Sequence, residues 1–213
     1  MRWIGSIILL MCCWACHSKA QLSSDYVKVK DMNMENKEVA ILAGGCFWCV
    51  EAPLLLLEGV DTVVSGYIGG HVENPTYAQV CTGQTGHAEA VKVTFDPQKI
   101  TYDEILEVFF TVHDPTQLNR QGNDIGTQYR SAIFPVNKDQ EDKARYYIET
   151  LEKSGAYERP IVTTIEHAET FYTAEDYHQN YYNRNPNEMY CKIVARPKVE
   201  KVKKVFADKL KKQ

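Results

Sequence analysis

The hydrophobic pattern divides the chain into an apolar leader, a polar tether and a body of strand and helix signals. Met1-Arg2 is followed by an apolar run from Trp3 to Ala15, a signal-peptide pattern too short for a comfortable membrane span. Residues 21–37 are polar and lack periodicity, so they read as a tether. Val39-Ala40-Ile41-Leu42-Ala43 is long enough for one buried strand. Val50-Glu51-Ala52, leading into Leu54-Leu55-Leu56-Leu57, reads as a short helix. Pro53 would clash with the carbonyl of Cys49 in an unbroken helix, so a kink, or a new helix starting at Pro53, is expected. Val60 to Ile68 is β-rich and ends at Gly69-Gly70. From Ala88 to Phe95, Ala90, Lys92 and Thr94 alternate with Val91, Val93 and Phe95, the period of a strand with two distinct faces.

Thr101 and Glu104 form a capping-box start for a helix to about Val112, with Ile105, Leu106, Phe109 and Phe110 on one apolar face. Ser131 to Pro135 gives a further strand. Asn137 or Asp139 then caps a charged helix that runs to about Lys153 and stops at Gly155. This order of elements predicts an α+β sandwich, with helices on one face of a mainly antiparallel sheet. After Pro197, Val199, Val202, Val205, Phe206 and Leu210 line one helical face among lysines. Packing of that face on its own domain is expected in preference to contact with an anionic membrane. The segments are then a leader (1–20), a tether (21–37), one domain (38–196) and a basic C-terminal helix (197–213).

Composition narrows the function classes. The chain has 213 residues, 44% hydrophobic, with a formal charge of −4, which supports one ordinary core and points away from nucleic acid. Seven cysteines fall into two sets: Cys12, Cys13 and Cys16 in the leader, and Cys46, Cys49, Cys81 and Cys191 in the body. A body of this size needs no disulfide scaffold, so redox catalysis explains its thiols better. Ser18-Lys19-Ala20 would allow cleavage before Gln21, whereas Ala15-Cys16 resembles a loose lipoprotein box with Cys16 as the acylated residue. The lipoprotein reading is slightly favoured. Either route exports a monomer to the bacterial envelope, lipid-anchored if Cys16 is acylated.

The chemistry centres on Gly44-Gly45-Cys46-Phe47-Trp48-Cys49. Two glycines allow a sharp turn from strand to helix, placing Cys46 at a helix N-terminus, where unpaired N–H groups favour a thiolate. Phe47 and Trp48 supply an aromatic wall.

This stretch resembles the active-site motif of the A-type peptide methionine sulfoxide reductases. Agreement continues through Ser65-Gly66-Tyr67-Ile68-Gly69-Gly70-His71, Asn74-Pro75-Thr76-Tyr77, Gly86-His87-Ala88-Glu89, Gly122-Asn123-Asp124, Gln128-Tyr129-Arg130-Ser131 and Asn185-Pro186-Asn187. The resemblance implies a ferredoxin-like core and reduction of methionine S-sulfoxide, free or in proteins, without a cofactor or metal. It implies Cys46 as nucleophile, Glu89 as acid, Tyr77 and Tyr129 as donors to the sulfoxide oxygen, and Asp124 as an orienting group. Phe47 and Trp48 would clasp the S-methyl group. Attack would leave a sulfenic acid on Cys46, which a second thiol converts to a disulfide, and a thioredoxin-like reductant would recycle it.

Cys191 takes the family's usual resolving position, and Cys49 replaces a common glycine one helical turn from Cys46. Cys191 is expected to resolve first, because tail segments are mobile, with Cys49 relaying the disulfide. Cys81 is expected to be structural, and His71, His87 and His178 to pack or hydrogen-bond. Rival readings are a thioredoxin-like exchanger built on Cys46-x-x-Cys49, a metal site and a non-enzymatic surface lipoprotein.

Overall fold

In the computed structural model, which describes residues 36–167 and 170–212, the Val39–Ala43 run becomes β1 (Glu38–Gly44), a central strand. The leader, both cleavage sites and nearly all of the tether lie outside the described residues. Next come α1 (Phe47–Leu54), β2 (Val60–Ile68), α2 (Tyr77–Cys81), β3 (Ala88–Phe95), α3 (Tyr102–Val112) and the hairpin of β4 (Arg120–Gln121) and β5 (Asp124–Ile125). Then follow β6 (Ser131–Ile133), α4 (Lys138–Ser154), β7 (Thr164–Ile165), β8 (Tyr172–Thr173), α5 (Tyr181–Arg184) and α6 (Arg196–Val205).

The main sheet has the order β7-β6-β1-β3-β2-β8, and only the β6–β7 pair is parallel. Its inner four strands with α1 and α3 make the split βαβ arrangement of a ferredoxin-like sandwich. Strand alternation assigns the faces. Ala40, Leu42, Val91, Val93 and Phe95 join the larger core under α1, α3, α4 and α6, while Val39, Ile41, Ala88 and Ala90 join a smaller one closed by Phe134 and Phe171. Glu89 lies between Ala88 and Ala90 and therefore shares the helix-side face. That is why a carboxyl reaches the thiol turn.

Local signals hold where the chain's own chemistry decides the outcome. Thr101 and Glu104 form the reciprocal capping box of α3; Asn137 caps α4, and left-handed Gly155 ends it. Other expectations need correcting. No second helix starts at Pro53; α1 closes one residue later, and the leucine block becomes turns, with Leu57 bridging Leu210. Pro53 lies inside α1 and removes the one N–H that would bond Cys49 O, and Leu55 N still donates to Glu51 O as the helix closes. The Ser131–Pro135 strand is shorter than expected, ending at Ile133. The loop between β2 and β3 contains α2, started by a Thr76–Gln79 capping box. Val199, Val202 and Phe206 are buried against the domain, whereas Val205 is exposed.

Candidate active site

The site begins with the absence of two side chains. A Cβ on Gly44 would lie 2.9 Å from the Phe109 ring, and one on Gly45 would lie 2.5 Å from Cβ of Gln121. Gly45 also has φ +93°, a left-handed conformation that favours glycine. Gln121 holds its place by accepting from Asp114 N and donating to Asp114 O. The β4–β5 hairpin therefore sits directly on the thiol turn, which positions Asp124. Beneath the turn, buried His113 donates through Nδ1 to Phe109 O at 2.7 Å, and Nε2 accepts from Ser131 Oγ at 2.8 Å. Burial lowers its pKa to about 4 against the opposing bond to Phe109 O, so the ring is neutral.

Cys46 is the N-cap of α1, 8% exposed, but its position does not produce the expected thiolate. The first N–H of the helix, that of Phe47, donates to Glu89 Oε2 at 3.1 Å instead of to sulfur. Burial pushes the Cys46 thiol well above its ordinary pKa, and the neighbouring Cys49 and Glu89 add to the shift. The Cys46 thiol hydrogen-bonds Cys49, and with help from Lys198 and Tyr190 this lowers Cys49 to about 7. Desolvation at the N-cap thus outweighs the helix-terminus effect, and the charge of the thiol pair settles one turn further on.

Glu89 is 1% exposed, and burial pushes its carboxyl up to about 8, opposed by the Phe47 N–H. At neutral pH it holds a proton. Half-buried Tyr77 and Tyr129 both have raised pKa values, first through burial and next through Glu89, so both hydroxyls remain donors.

Asp124 is tied to a residue that the sequence reading gave no role. Its Oδ2 accepts from the Tyr190 hydroxyl at 2.6 Å, and the oxygen of that hydroxyl lies within hydrogen-bond reach of Cys49 Sγ, 3.7 Å away. The signal for Tyr190 was its place immediately before Cys191, in a segment read only for its cysteine. The Phe47 ring has the rings of His178, Trp48, Tyr67 and Tyr77 at 5.0, 6.0, 6.0 and 6.5 Å. Trp48 stacks on Tyr181 at 3.8 Å and 9°, and meets Tyr190 edge-on at 5.8 Å. Trp48 Nε1 and both ring nitrogens of His178 are buried without a hydrogen-bond partner among the described residues. His87 hydrogen-bonds as expected: Nδ1 accepts from Gly70 N and Nε2 donates to Val72 O.

All four body cysteines are thiols. Cys81 is exposed, not a core thiol, because α2 turns that edge outward. Cys191 is buried at the start of a π-helical turn, Cys191–Ala195, that continues into α6. Cys191 thus lies in a helical turn and not in an extended tail. A cavity of about 590 Å³ is lined by His113, Gln121 and Lys198, but by none of Cys46, Glu89, Tyr77 and Tyr129. Among the described residues, no group of three or more His, Cys, Asp or Glu side chains is placed to hold a metal ion.

The chain is similar to known proteins over most of its length. The family model described as "Peptide methionine sulfoxide reductase" matches residues 38–210. The peptide methionine sulfoxide reductase MsrA of Deinococcus radiodurans is 60% identical over 174 residues, covering 82% of this chain and 84% of the relative. MsrA 1 of Rhodopirellula baltica is 55% identical over 189 residues, covering 88% and 96%. Among solved structures, reduced Mxr1 from Saccharomyces cerevisiae superposes with a TM-score of 0.68 at 35% identity, covering 79% of this chain and 96% of its own. Methionine sulfoxide reductase A of Corynebacterium diphtheriae gives 0.64 at 36% identity, covering 73% and 78%.

Proposed function

The chain belongs to the peptide methionine sulfoxide reductase family and is an enzyme that reduces methionine sulfoxide, and from that premise we propose how its residues divide the reaction. The carrying observation is a buried carboxyl that holds a proton at neutral pH, one hydrogen bond from the residue following the reactive thiol. Phe47 and Trp48 receive the S-methyl group, and Tyr77 and Tyr129 donate to the sulfoxide oxygen. Glu89 gives its proton to that oxygen while Cys46 sulfur attacks the sulfoxide sulfur. The protonated oxygen then passes to the Cys46 sulfur: the substrate S–O bond breaks as the Cys46 S–O bond forms. The transient bond between the two sulfurs breaks with its electron pair going to methionine, and methionine leaves Cys46 as a sulfenic acid. The proton lost from the Cys46 thiol restores Glu89, so the step is proton-neutral. Asp124 holds the Tyr190 hydroxyl beside Cys49, with the Tyr190 ring edge-on to Trp48.

Cys49 is then the first resolving thiol. Its lowered pKa leaves much of it ionised at neutral pH, and it already hydrogen-bonds Cys46. Its attack forms the Cys46–Cys49 disulfide and releases water; a thioredoxin-like dithiol takes up the oxidation and restores both thiols. With thioredoxin as reductant, Cys49→Ser is expected to release one methionine per enzyme and stall, while Cys191→Ser continues to turn over. Steady turnover in Cys49→Ser, measured as methionine against enzyme, would return the resolving role to Cys191.

The activity itself is tested with the two separated sulfoxide epimers of a blocked methionine and dithiothreitol. Reduction of the S epimer alone is expected, since one enzyme type serves each epimer. Reduction of neither, with active disulfide exchange on insulin, would move the reading to the Cys46-x-x-Cys49 exchanger. Export through residues 1–20, with Cys16 acylated, belongs to the same proposal and is supported by the basic start and apolar run. Palmitate labelling of the full chain that survives Cys16→Ser would exclude the lipoprotein form.

A further inference from the structure

Glu51 lies on α1 one turn beyond Phe47, where a solvent-facing glutamate would be unremarkable, yet it is 1% exposed. Its Oε1 accepts from the backbone N–H of Asn180 at 2.8 Å, and the Tyr181 N–H also bonds the carboxyl. Those N–H groups open α5, a helix of four residues that has no side-chain cap of its own. Such donors need an outside acceptor, and Glu51 supplies it from a different helix. Asn180 is itself left-handed, with φ +53°, so the turn entering α5 is not one the backbone favours unaided.

The segment held in this way forms much of the substrate cup. Tyr181 stacks on Trp48 at 3.8 Å, and His178 packs on Phe47 and Tyr77 at 5.0 and 4.3 Å. Its other end is pinned elsewhere: Gln179 bonds both the N–H and the carbonyl of Ser65, and Glu175 accepts from the Tyr67 hydroxyl and Tyr77 N. On the α5 side, the Glu51 carboxyl is the polar anchor on α1 itself.

We infer that Glu51 is a positioning residue, whose carboxyl clamps the 178–181 segment onto the catalytic helix and thereby sets affinity for the methyl end of the substrate. The inference rests on the reading of Phe47 and Trp48 as the methyl site. Its physical support is the burial of a carboxyl whose hydrogen bonds run from α1 across to the N–H groups that open α5. A buried carboxyl is costly unless its oxygens accept hydrogen bonds, and the α5 N–H groups supply them here. Burial pushes the Glu51 pKa up to about 7, which reports the same cost. Cys46 and Glu89 are held by other contacts, the Gln121 seat and the Phe47 N–H, so loosening the cup acts on binding and leaves the chemistry in place.

The test compares Glu51→Gln with Glu51→Asp in the full chain. Glutamine keeps the reach and an acceptor oxygen but loses the charge; aspartate keeps the charge but falls one methylene short. Glu51→Gln should hold KM near wild type, whereas Glu51→Asp should raise KM about tenfold with kcat within about threefold, the signature of lost uniform binding. A second readout uses a background with Trp3→Phe and Trp14→Phe, in which Trp48 alone emits. Acrylamide quenching of Trp48 should rise in Glu51→Asp and stay near wild type in Glu51→Gln. Equal KM and equal quenching in the two variants, or rescue by aspartate in place of glutamine, would overturn the inference. Absence of sulfoxide reduction in the wild type would instead overturn the reading of the site, and the quenching comparison would still decide whether the clamp exists.

Discussion

Cys46→Ser abolishes methionine release, down to the background set by dithiothreitol alone, while the protein keeps its fold and its substrate affinity. A serine hydroxyl fits the N-cap of α1 and can still donate toward Cys49, so the turn, the Gln121 seat and the aromatic cup are retained. What disappears is the polarisable sulfur that can bond to the sulfoxide sulfur and then carry oxygen as a sulfenic acid. The test is demanding because Cys49 is present, partly ionised and one turn away. Residual turnover above about a tenth of wild type would make Cys49 a competent nucleophile. The division of roles between the two thiols would then be wrong. Loss of turnover together with unchanged binding of a sulfoxide, measured by calorimetry, is the expected pair of results.

Glu89→Gln should slow the first methionine released in a single turnover by about 10²–10⁴-fold, the range typical for removing a general acid. Binding should change little, because the amide oxygen can still accept the Phe47 N–H. The pH profile gives the sign. The reactive form of Glu89 is neutral, and its carboxyl titrates at about 8 in the folded protein. Wild-type rates of sulfenic-acid formation therefore hold below that value and fall as pH rises through it. Glu89→Gln should be slow throughout and lose this limb. A wild-type rate that instead rises through pH 8 would show that ionising a thiol matters more than keeping the carboxyl protonated. That result would transfer the proton-donor role to Tyr77 or Tyr129.

These two outcomes separate parts of the site that depend on different physics. The nucleophile depends on a covalent property of sulfur that any position of the chain could supply. The acid depends on placement: a glutamate at the start of a strand is ordinarily solvated, and only the α1 turn above β3 strips it of water.

How far the chain could be read in advance follows the same line. The strand period of residues 88–95, the capping box of Thr101 and Glu104, the Asn137 cap and the Gly155 stop are interactions within a few residues. Short-range sterics and hydrogen bonds settle them, so they are visible in the order of residues. Gly45 belongs with them in part: a sharp strand-to-helix turn is written in Gly44-Gly45, although the Gln121 side chain that fills the missing Cβ comes from a distant hairpin. The two-residue strands were not visible, because pairs as short as β4–β5 or β7 have no period to detect.

Electrostatic outcomes at the site required the tertiary structure. The sequence alone determined that a thiol would stand at a helix start beside two aromatic rings. It could not determine which of Cys46 and Cys49 carries the charge, because that is set by burial, by Glu89 from β3, by Tyr190 and by Lys198 of α6. Nor could it show that Tyr190 joins Asp124 to Cys49, or that Glu51 reaches across to cap α5. A pKa and a long-range hydrogen bond depend on what surrounds a group in space, and those neighbours come from segments more than forty residues apart in the chain.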